Sequence, residues 1–360
     1  MPHETVLTAA ELPELAFQKR YFFSDLEVIC STNQPALLSL LDGLLGSFPE
    51  PARVRGRLVY ALACFENASQ FPLALPDRRK HTETIRLMTE TKLRYYLSQD
   101  DYSEYLSYAE LPTMNGPVLT ALYPDQQTAV TQLLSLEQYQ PLFLRRCVLL
   151  LALGHLLRSF RFEPCHAAAV TSPGDARRAA LIFGLSGSGK TTLSIGCALY
   201  GFGLLGDDLV TLRECEEDAR IHVHALNTEA SVRKGTLDLW PQLAFLCELP
   251  ADFRGKRHCD IEQLRPGALD LEADVRFLIF PTLVEEGPSQ LVPLSKGRTL
   301  HELIDQCMRI EKTYPQSQEK LFGLLSKLAE QAAGYRLLLA RNTDDGPRLL
   351  QALFTGGADG

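Results

Sequence analysis

The chain has 360 residues, 46% of them hydrophobic and 22% charged, which is globular composition with room for two domains or one large one. Its formal net charge of −8 argues against a nucleic-acid-binding surface, and no apolar run reaches the ~18–20 residues needed to span a bilayer, so neither nucleic acid nor membrane is an expected partner. The nine cysteines are odd in number and contain no C-x-x-C pair, a pattern of reduced thiols in a cytoplasmic protein and not of a disulfide frame or a zinc site.

Taken in chain order, Met1 to Glu4 lack a basic segment leading into an apolar one, so no secretory leader is expected. Strand-like stretches at Leu26–Cys30, Arg57–Cys64, Thr82–Met88 and Pro117–Leu122 surround a helical one at Pro35–Leu45. Helices are then expected near Gln126–Leu136 and Pro141–Arg158; the apolar run Leu142–Leu157, broken by Arg145, Arg146 and His155, reads as buried and amphipathic. The basic runs Arg78-Arg79-Lys80-His81 and Arg145-Arg146 read as solvated surface. This gives an α+β N-terminal domain over residues 1–160, acceptor-binding or regulatory, and a second domain over 161–360. In the second, Ala167–Thr171 and Ala179–Phe183 read as strands about a turn at Ser172-Pro-Gly-Asp175. A helix over Lys190–Tyr200 and strands at Leu204–Gly206, Val210–Arg213, Ile221–Ala225 and Val275–Phe280 follow. Helices near Leu300–Arg309 and Glu319–Ala333, a strand at Tyr335–Ala340 and a helix near Asp345–Phe354 complete the pattern.

The chemistry concentrates after residue 160. Gly184-Leu185-Ser186-Gly187-Ser188-Gly189-Lys190-Thr191 satisfies G-x-x-x-x-G-K-[ST] between a buried strand and an amphipathic helix, the context that a triphosphate-binding loop requires. Glycines at 184, 187 and 189 free the backbone for positive φ and for close approach of its N–H groups to phosphate oxygens, with Thr192 continuing into the helix. The helix N-terminus adds partial positive charge. Lys190 supplies a mobile cation for the β and γ phosphates, and Thr191 a hydroxyl for Mg²⁺. A hydrolase elbow is excluded, because Ser188 stands where G-x-S-x-G needs its second glycine.

Seventeen residues beyond Lys190, Gly206-Asp207-Asp208 places two carboxylates one helix downstream of the loop. One can hold Mg²⁺ and the other accept a proton from an attacking hydroxyl. His166 stands eighteen residues before Gly184, at the head of an apolar strand.

These segments together resemble the bacterial HPr serine kinase/phosphorylase and, through the same nucleotide core, ATP-dependent phosphoenolpyruvate carboxykinase. The likeness is strong over residues 164–214 and loose to about 340, and Phe183–Ser194 with Gly206-Asp207-Asp208 is closest to the carboxykinase pattern. The resemblance implies an α/β P-loop kinase core of the HPr kinase/carboxykinase type, with ATP and Mg²⁺ as cofactors. It implies Lys190 on the phosphates, Thr191 on the metal, Asp207 and Asp208 as metal-binding and catalytic carboxylates, and His166 beside them. Asp207 is the favoured base. A hydroxyl, foremost serine, of a protein, peptide or small molecule is the implied acceptor, and homo-oligomers occur among the relatives. Two departures matter. The family's downstream Glu-Ile-Arg-Gly-type signature has only Glu229-Ala-Ser-Val-Arg233-Lys-Gly235 as its counterpart, which puts phosphate-dependent dephosphorylation in doubt, and the N-terminal region matches nothing in the family. The competing readings are a nucleotide-binding regulatory module without transfer, and a carboxykinase, for which no arginine constellation is visible.

Three lesser features complete the reading. Arg254, Lys256 and Arg257 sit in a polar segment whose favoured reading is a solvated basic loop, the alternative being a cation delivered to a migrating phosphoryl group. His222 and His224 alternate along a strand and share a face, without a third metal ligand in view. Trp240, with Leu237, Leu239, Leu243 and Phe245, reads as core or a surface contact and not as an adenine stack.

Overall fold

The computed structural model describes residues 12–73, 81–88, 91–98, 104–108, 116–185, 187–252, 255–307, 315–340 and 342–356. Ser186, Arg254 and Arg78-Arg79-Lys80, all singled out above, lie outside the described residues. The chain divides into two compact units, Met1–Phe162 and Glu163–Gly360. Both are mixed α/β with parallel strand pairs, and no helix among the described residues is long and apolar enough to cross a membrane.

The first unit is an eight-stranded sheet in the order β1-β2-β3-β8-β7-β6-β5-β4. Its strands are β1 (Phe17–Phe23), β2 (Leu26–Thr32), β3 (Gly56–Phe65), β4 (His81–Met88), β5 (Thr91–Ser98), β6 (Glu104–Tyr108), β7 (Val118–Tyr123) and β8 (Thr128–Leu134). Helix α1 (Pro35–Leu45) forms the crossover between the parallel strands β2 and β3, as parallel pairing requires. Proline opens it, and Leu37, Leu41, Leu44 and Leu45 are its buried face. The apolar run expected as one helix is α2 (Pro141–Phe143), a π-wound stretch Leu144–Leu149, and α3 (Leu150–Leu157).

The expected helix near Gln126–Leu136 is instead strand β8. It lies between β3 and β7 with five of its seven residues buried, so both faces are covered and no period-two alternation betrays it. Its polar residues are buried because they are satisfied: Thr131 Oγ1 meets Tyr60 Oη at 2.9 Å and Thr120 Oγ1 at 2.7 Å, and Gln132 Oε1 accepts the Leu73 N–H at 3.0 Å. Tertiary pairing overrides the helical propensity of Gln, Leu and Ala here.

The second unit is a nine-stranded sheet. In chain order it contains β9 (Glu163–Cys165), β10 (Ala168–Ser172), β11 (Asp175–Ile182), α4 (Lys190–Leu199), β12 (Gly203–Gly206), β13 (Val210–Glu214), β14 (Ile221–Ala225), β15 (Glu229–Arg233), α5 (Lys234–Leu239), β16 (Lys256–Asp260) and α6 (Ile261–Leu264). Then come β17 (Glu272–Leu283), β18 (Gln290–Leu294), α7 (Lys296–Cys307), α8 (Pro315–Gln331), β19 (Ala333–Leu339) and α9 (Asp345–Gly356). The order is β12-β10-β11-β17-β14-β13-β9, with β19 also pairing β17 and β18 pairing β19; β15 and β16 form a separate two-stranded sheet. The pairs β11/β17 and β17/β19 are parallel.

Two short connections dictate the shape of this sheet. Only His166 and Ala167 separate β9, at one end of the order, from β10, next to the other end. Three residue steps span at most about 11 Å, so the sheet curls until these ends meet. The link Asp207–Leu209 crosses the same seam, from β12 beside β10 to β13 beside β9. Below it the core is apolar: Ile182, Leu193, Ile195, Phe202, Ile279 and Phe354 are buried together, each contributing about 1.5–3 kcal/mol against exposure.

Candidate functional site

The strand directions bring three segments to one end of the sheet. Strand β10 is antiparallel to both neighbours, with Ala168 opposite Ile182 of β11 and Ala169 opposite Gly206 of β12. Strands β11 and β12 therefore end at the same edge where β10 begins. The glycine-rich loop leaves β11 there, Asp207-Asp208 leaves β12 there, and His166 enters β10 there. Carboxyl ends of strands are where open α/β sheets bind ligands.

The loop is anchored by the Phe183 N–H, which donates to Ile279 O at 2.9 Å, and by Phe183 stacked on Phe280 with ring centroids 5.8 Å apart. Gly187 and Gly189 have φ of 87° and 94°, the left-handed conformation expected of them. Gly184 does not, and its need for glycine is steric: a Cβ there would collide with Ser188 Oγ and lie 3.1 Å from Ser188 Cβ. Helix α4 begins at Lys190, so the first N–H groups of the helix belong to the loop. Leu185 is exposed. Ser188 Oγ is buried with no hydrogen-bond partner among the described residues, a hydroxyl set in the loop with its donor unspent.

Lys190 is buried, and its ammonium donates to Gly184 O at 2.5 Å and Leu185 O at 3.3 Å. Burial holds its pKa below that of a free lysine; Lys256 pushes the same way, and Asp208 and Asp207 oppose. Lys190 is thus in the field of both carboxylates. Thr191 and Thr192 are half-buried in the first turn of α4. The Thr192 hydroxyl pairs with Thr236 Oγ1 of α5 at 2.9 Å, which leaves its backbone N–H as the part that faces a phosphate role.

Asp207 and Asp208 differ in environment. Asp207 is 1% exposed, and its Oδ2 accepts the backbone N–H of Ser231 in β15 at 3.0 Å. Asp208 has a side chain 28% exposed. His166 Nδ1 lies 2.8 Å from its carbonyl oxygen and 3.2 Å from its Oδ1, and Lys256 Nζ lies 3.8 Å from its Oδ2. Burial first, and the Lys190 and Lys256 charges with it, hold the His166 pKa below that of a free imidazole, against the pull of Asp208. The ring is therefore neutral near pH 7, with Nδ1–H donating to Asp208.

Of the residues singled out from sequence, His166, Lys190, Asp207 and Asp208 come together. Lys256 joins them, against its favoured reading as part of a solvated loop. Strand β16 pairs with β15 with Lys256 opposite Arg233 and His258 opposite Ser231, so the residue after Gly255 is delivered to Asp208 by strand register. Arg257 does not follow it; its Nε donates to Leu249 O. Sequence reasoning also passed over the support behind Asp207. His258 lies 3.1 Å from Ser231 Oγ and 2.9 Å from Asp252 Oδ2, a buried chain that fixes the strand whose N–H holds the carboxylate. The signal available was Glu229–Arg233, noticed only as a motif remnant. It is β15, whose Glu229, Ala230, Ser231 and Val232 are all buried. Trp240 is core: Gly196 of α4 lies so close that a Cβ there would meet the indole Cζ2 at 2.5 Å.

No protein-family model and no curated protein matches the chain. Among solved structures, the Hpr(Ser) kinase/phosphatase from Coxiella burnetii is similar over 54% of this chain and 95% of that one, at 14% identity and a TM-score of 0.30. A likeness of that degree carries no argument about activity, which rests on the site itself.

Proposed function

We propose that the chain is an ATP- and Mg²⁺-dependent kinase that transfers the γ-phosphate to a hydroxyl, foremost serine, of a protein, peptide or small molecule. The observation that carries this is the gathering of Lys190, Asp207, Asp208 and His166 at the edge where β11 and β12 end. A module that only bound nucleotide has little use for two carboxylates and a second lysine beside the phosphate loop.

The loop N–H groups, the start of α4 and Lys190 bind the triphosphate. The Ser188 hydroxyl adds an unspent donor to that cradle. Thr191 and Asp208 suit a hard cation, because both offer oxygen and Asp208 is exposed enough to leave the waters that Mg²⁺ retains. Asp207 stands beside them. Bound there, the cation would draw charge from the phosphate oxygens. Asp207, shielded from water and oriented by the Ser231 N–H, takes the proton of the acceptor hydroxyl. His166 holds Asp208 through its neutral Nδ1–H, and Lys256 places a second positive charge on the opposite oxygen.

The test is labelled ATP incubated with cell lysate, comparing the wild type with Lys190→Ala and Asp207→Asn. A labelled species is expected with the wild type and absent with either variant. Full transfer by a folded Lys190→Ala protein would refute the assignment. ATP binding without transfer to any acceptor returns the chain to a regulatory module, and phosphoenolpyruvate formed from oxaloacetate and ATP returns it to a carboxykinase.

A further inference from the structure

Away from this site, the hairpin joining β13 to β14 gathers a different chemistry. After Glu214 the chain turns within Cys215–Arg220: Cys215 N–H donates to Arg220 O at 2.8 Å, Ala219 N–H to Cys215 O at 2.9 Å, and Ala219 takes a left-handed φ of 56°. The tight turn folds Asp218 back over the first residues of β14. There His222 Nε2 lies 3.1 Å from Asp218 Oδ2, and Cys215 Sγ, the Asp218 carboxylate and the His222 imidazole all lie within 4.8 Å of one another. The ligand-type partners that His222 lacks along its strand are supplied by the turn. His224 is not part of the group; it is buried and faces Glu272 Oε2 at 3.5 Å.

We propose that Cys215, Asp218 and His222 form a binding site for a divalent transition metal of the zinc class. Donors on one tetrahedral zinc, at bond lengths of about 2.0–2.3 Å, stand roughly 3.2–3.8 Å apart. The nitrogen–oxygen pair, at 3.1 Å, is just under that spacing, and a side-chain rotation of Cys215 brings the sulfur in. Glu272, from the neighbouring strand β17, meets His222 Nδ1 at 3.0 Å from the far side of the ring. Without metal both ring nitrogens donate, Nδ1 to Glu272 and Nε2 to Asp218; a metal would take the place of the Nε2 proton while Glu272 keeps the Nδ1–H, the arrangement that carboxylates impose on metal-binding histidines. Glu217, which accepts from the Cys215 thiol at 2.9 Å, or water completes the four-coordinate set. Sulfur and imidazole together select zinc, cobalt or cadmium over magnesium or calcium, so this site is chemically separate from the phosphoryl-transfer site. The metal staples the end of the hairpin whose other end, five residues or about 17 Å back along β13, follows Asp208.

The probe is Co²⁺, titrated into the full chain after chelation and dialysis. One equivalent is expected to give the visible bands of a tetrahedral site and a sulfur-to-cobalt charge-transfer band, both bleached by one equivalent of Zn²⁺. Cys215→Ser removes the charge-transfer band, His222→Gln lowers Zn²⁺ affinity at least about tenfold, and Glu272→Gln lowers it about 10–100-fold with the sulfur band kept. Cys247→Ser, which removes an exposed thiol elsewhere, changes nothing. Circular dichroism confirms that each variant is folded, and Asp218→Asn is the second test if His222→Gln is not. No charge-transfer band, or one that survives Cys215→Ser or disappears with Cys247→Ser, overturns the proposal.

Discussion

Replacing Gly184 by alanine tests whether the loop owes its form to one close approach. The added Cβ would collide with Ser188 Oγ, with Ser188 Cβ at 3.1 Å and Lys190 Cγ at 3.6 Å as its next neighbours. Both residues sit in the loop or at the start of α4, so the strain has two outlets. If the loop holds its form, the unit is destabilised by about 1–3 kcal/mol, the usual cost of overpacking. That corresponds to a melting temperature lower by roughly 2–4 °C for each kcal/mol in a unit of this size. If the loop relaxes, the melting temperature is kept, but triphosphate binding must restore the strained form, and affinity falls about 5- to 150-fold for the same energy. The two losses trade against each other. Adding Ser188→Ala removes the worst contact and leaves one of 3.1 Å, which small shifts absorb.

The double variant should therefore recover most of the lost stability and the strain-related part of the lost affinity, but not the hydroxyl's own contact to phosphate; Ser188→Ala alone should cost little stability, because its hydroxyl has no partner among the described residues. The assay is a double-mutant cycle read by thermal unfolding and by binding of a fluorescent ATP analogue. Additive effects, or a Gly184→Ala protein with unchanged stability and affinity, would refute the steric argument.

Further outcomes follow from the same geometry. Because burial lowers the His166 pKa, the folded state binds fewer protons there than the unfolded state once pH falls through the free value of 6.5. Stability is therefore lost on the acid side, and His166→Asn should flatten that loss in melting curves taken from pH 8 to pH 5; a difference confined to the alkaline side would be the wrong sign. Lys256→Met removes one of the charges that depress His166, so the imidazole should titrate at higher pH by proton NMR, and an unchanged or lower value would place Lys256 outside the site. Gly196→Ala drives a methyl into Trp240 and should cost about 1–3 kcal/mol of stability in chemical denaturation, with the m-value unchanged.

The parts of the second unit that sequence made legible are those where local pattern and tertiary role agree. Ala179–Phe183 is apolar on both faces because successive residues, which point to opposite faces, are all buried, and the helix after it starts where Gly189 takes its positive φ. The expected positive φ at Gly184 is absent, since close approach of Ser188 demands the same residue type for a different reason. Strand β8 was illegible because satisfied hydroxyls and an amide bury its polar residues, which erases the alternation that marks a half-buried strand. Lys256 was illegible for a third reason. A basic run carries no sign of which residue a strand pairing will turn toward a carboxylate, and only the register opposite Arg233 selects it over Arg257.

The seam explains why a histidine and an aspartate pair separated by about forty residues can act on one loop. Two links jump between the ends of this curled sheet, both short and both crossing where β11 delivers its glycines. Lengthening either link would relax the curl. The His166 imidazole would then leave the Asp208 carbonyl, and the Ser231 N–H would leave Asp207. The placement of the carboxylates is thus a property of connection length as much as of side-chain identity. That is why Gly206-Asp207-Asp208 reads so clearly in sequence while Ser231, His258 and Asp252, which hold it from β15, β16 and the turn before β16, do not.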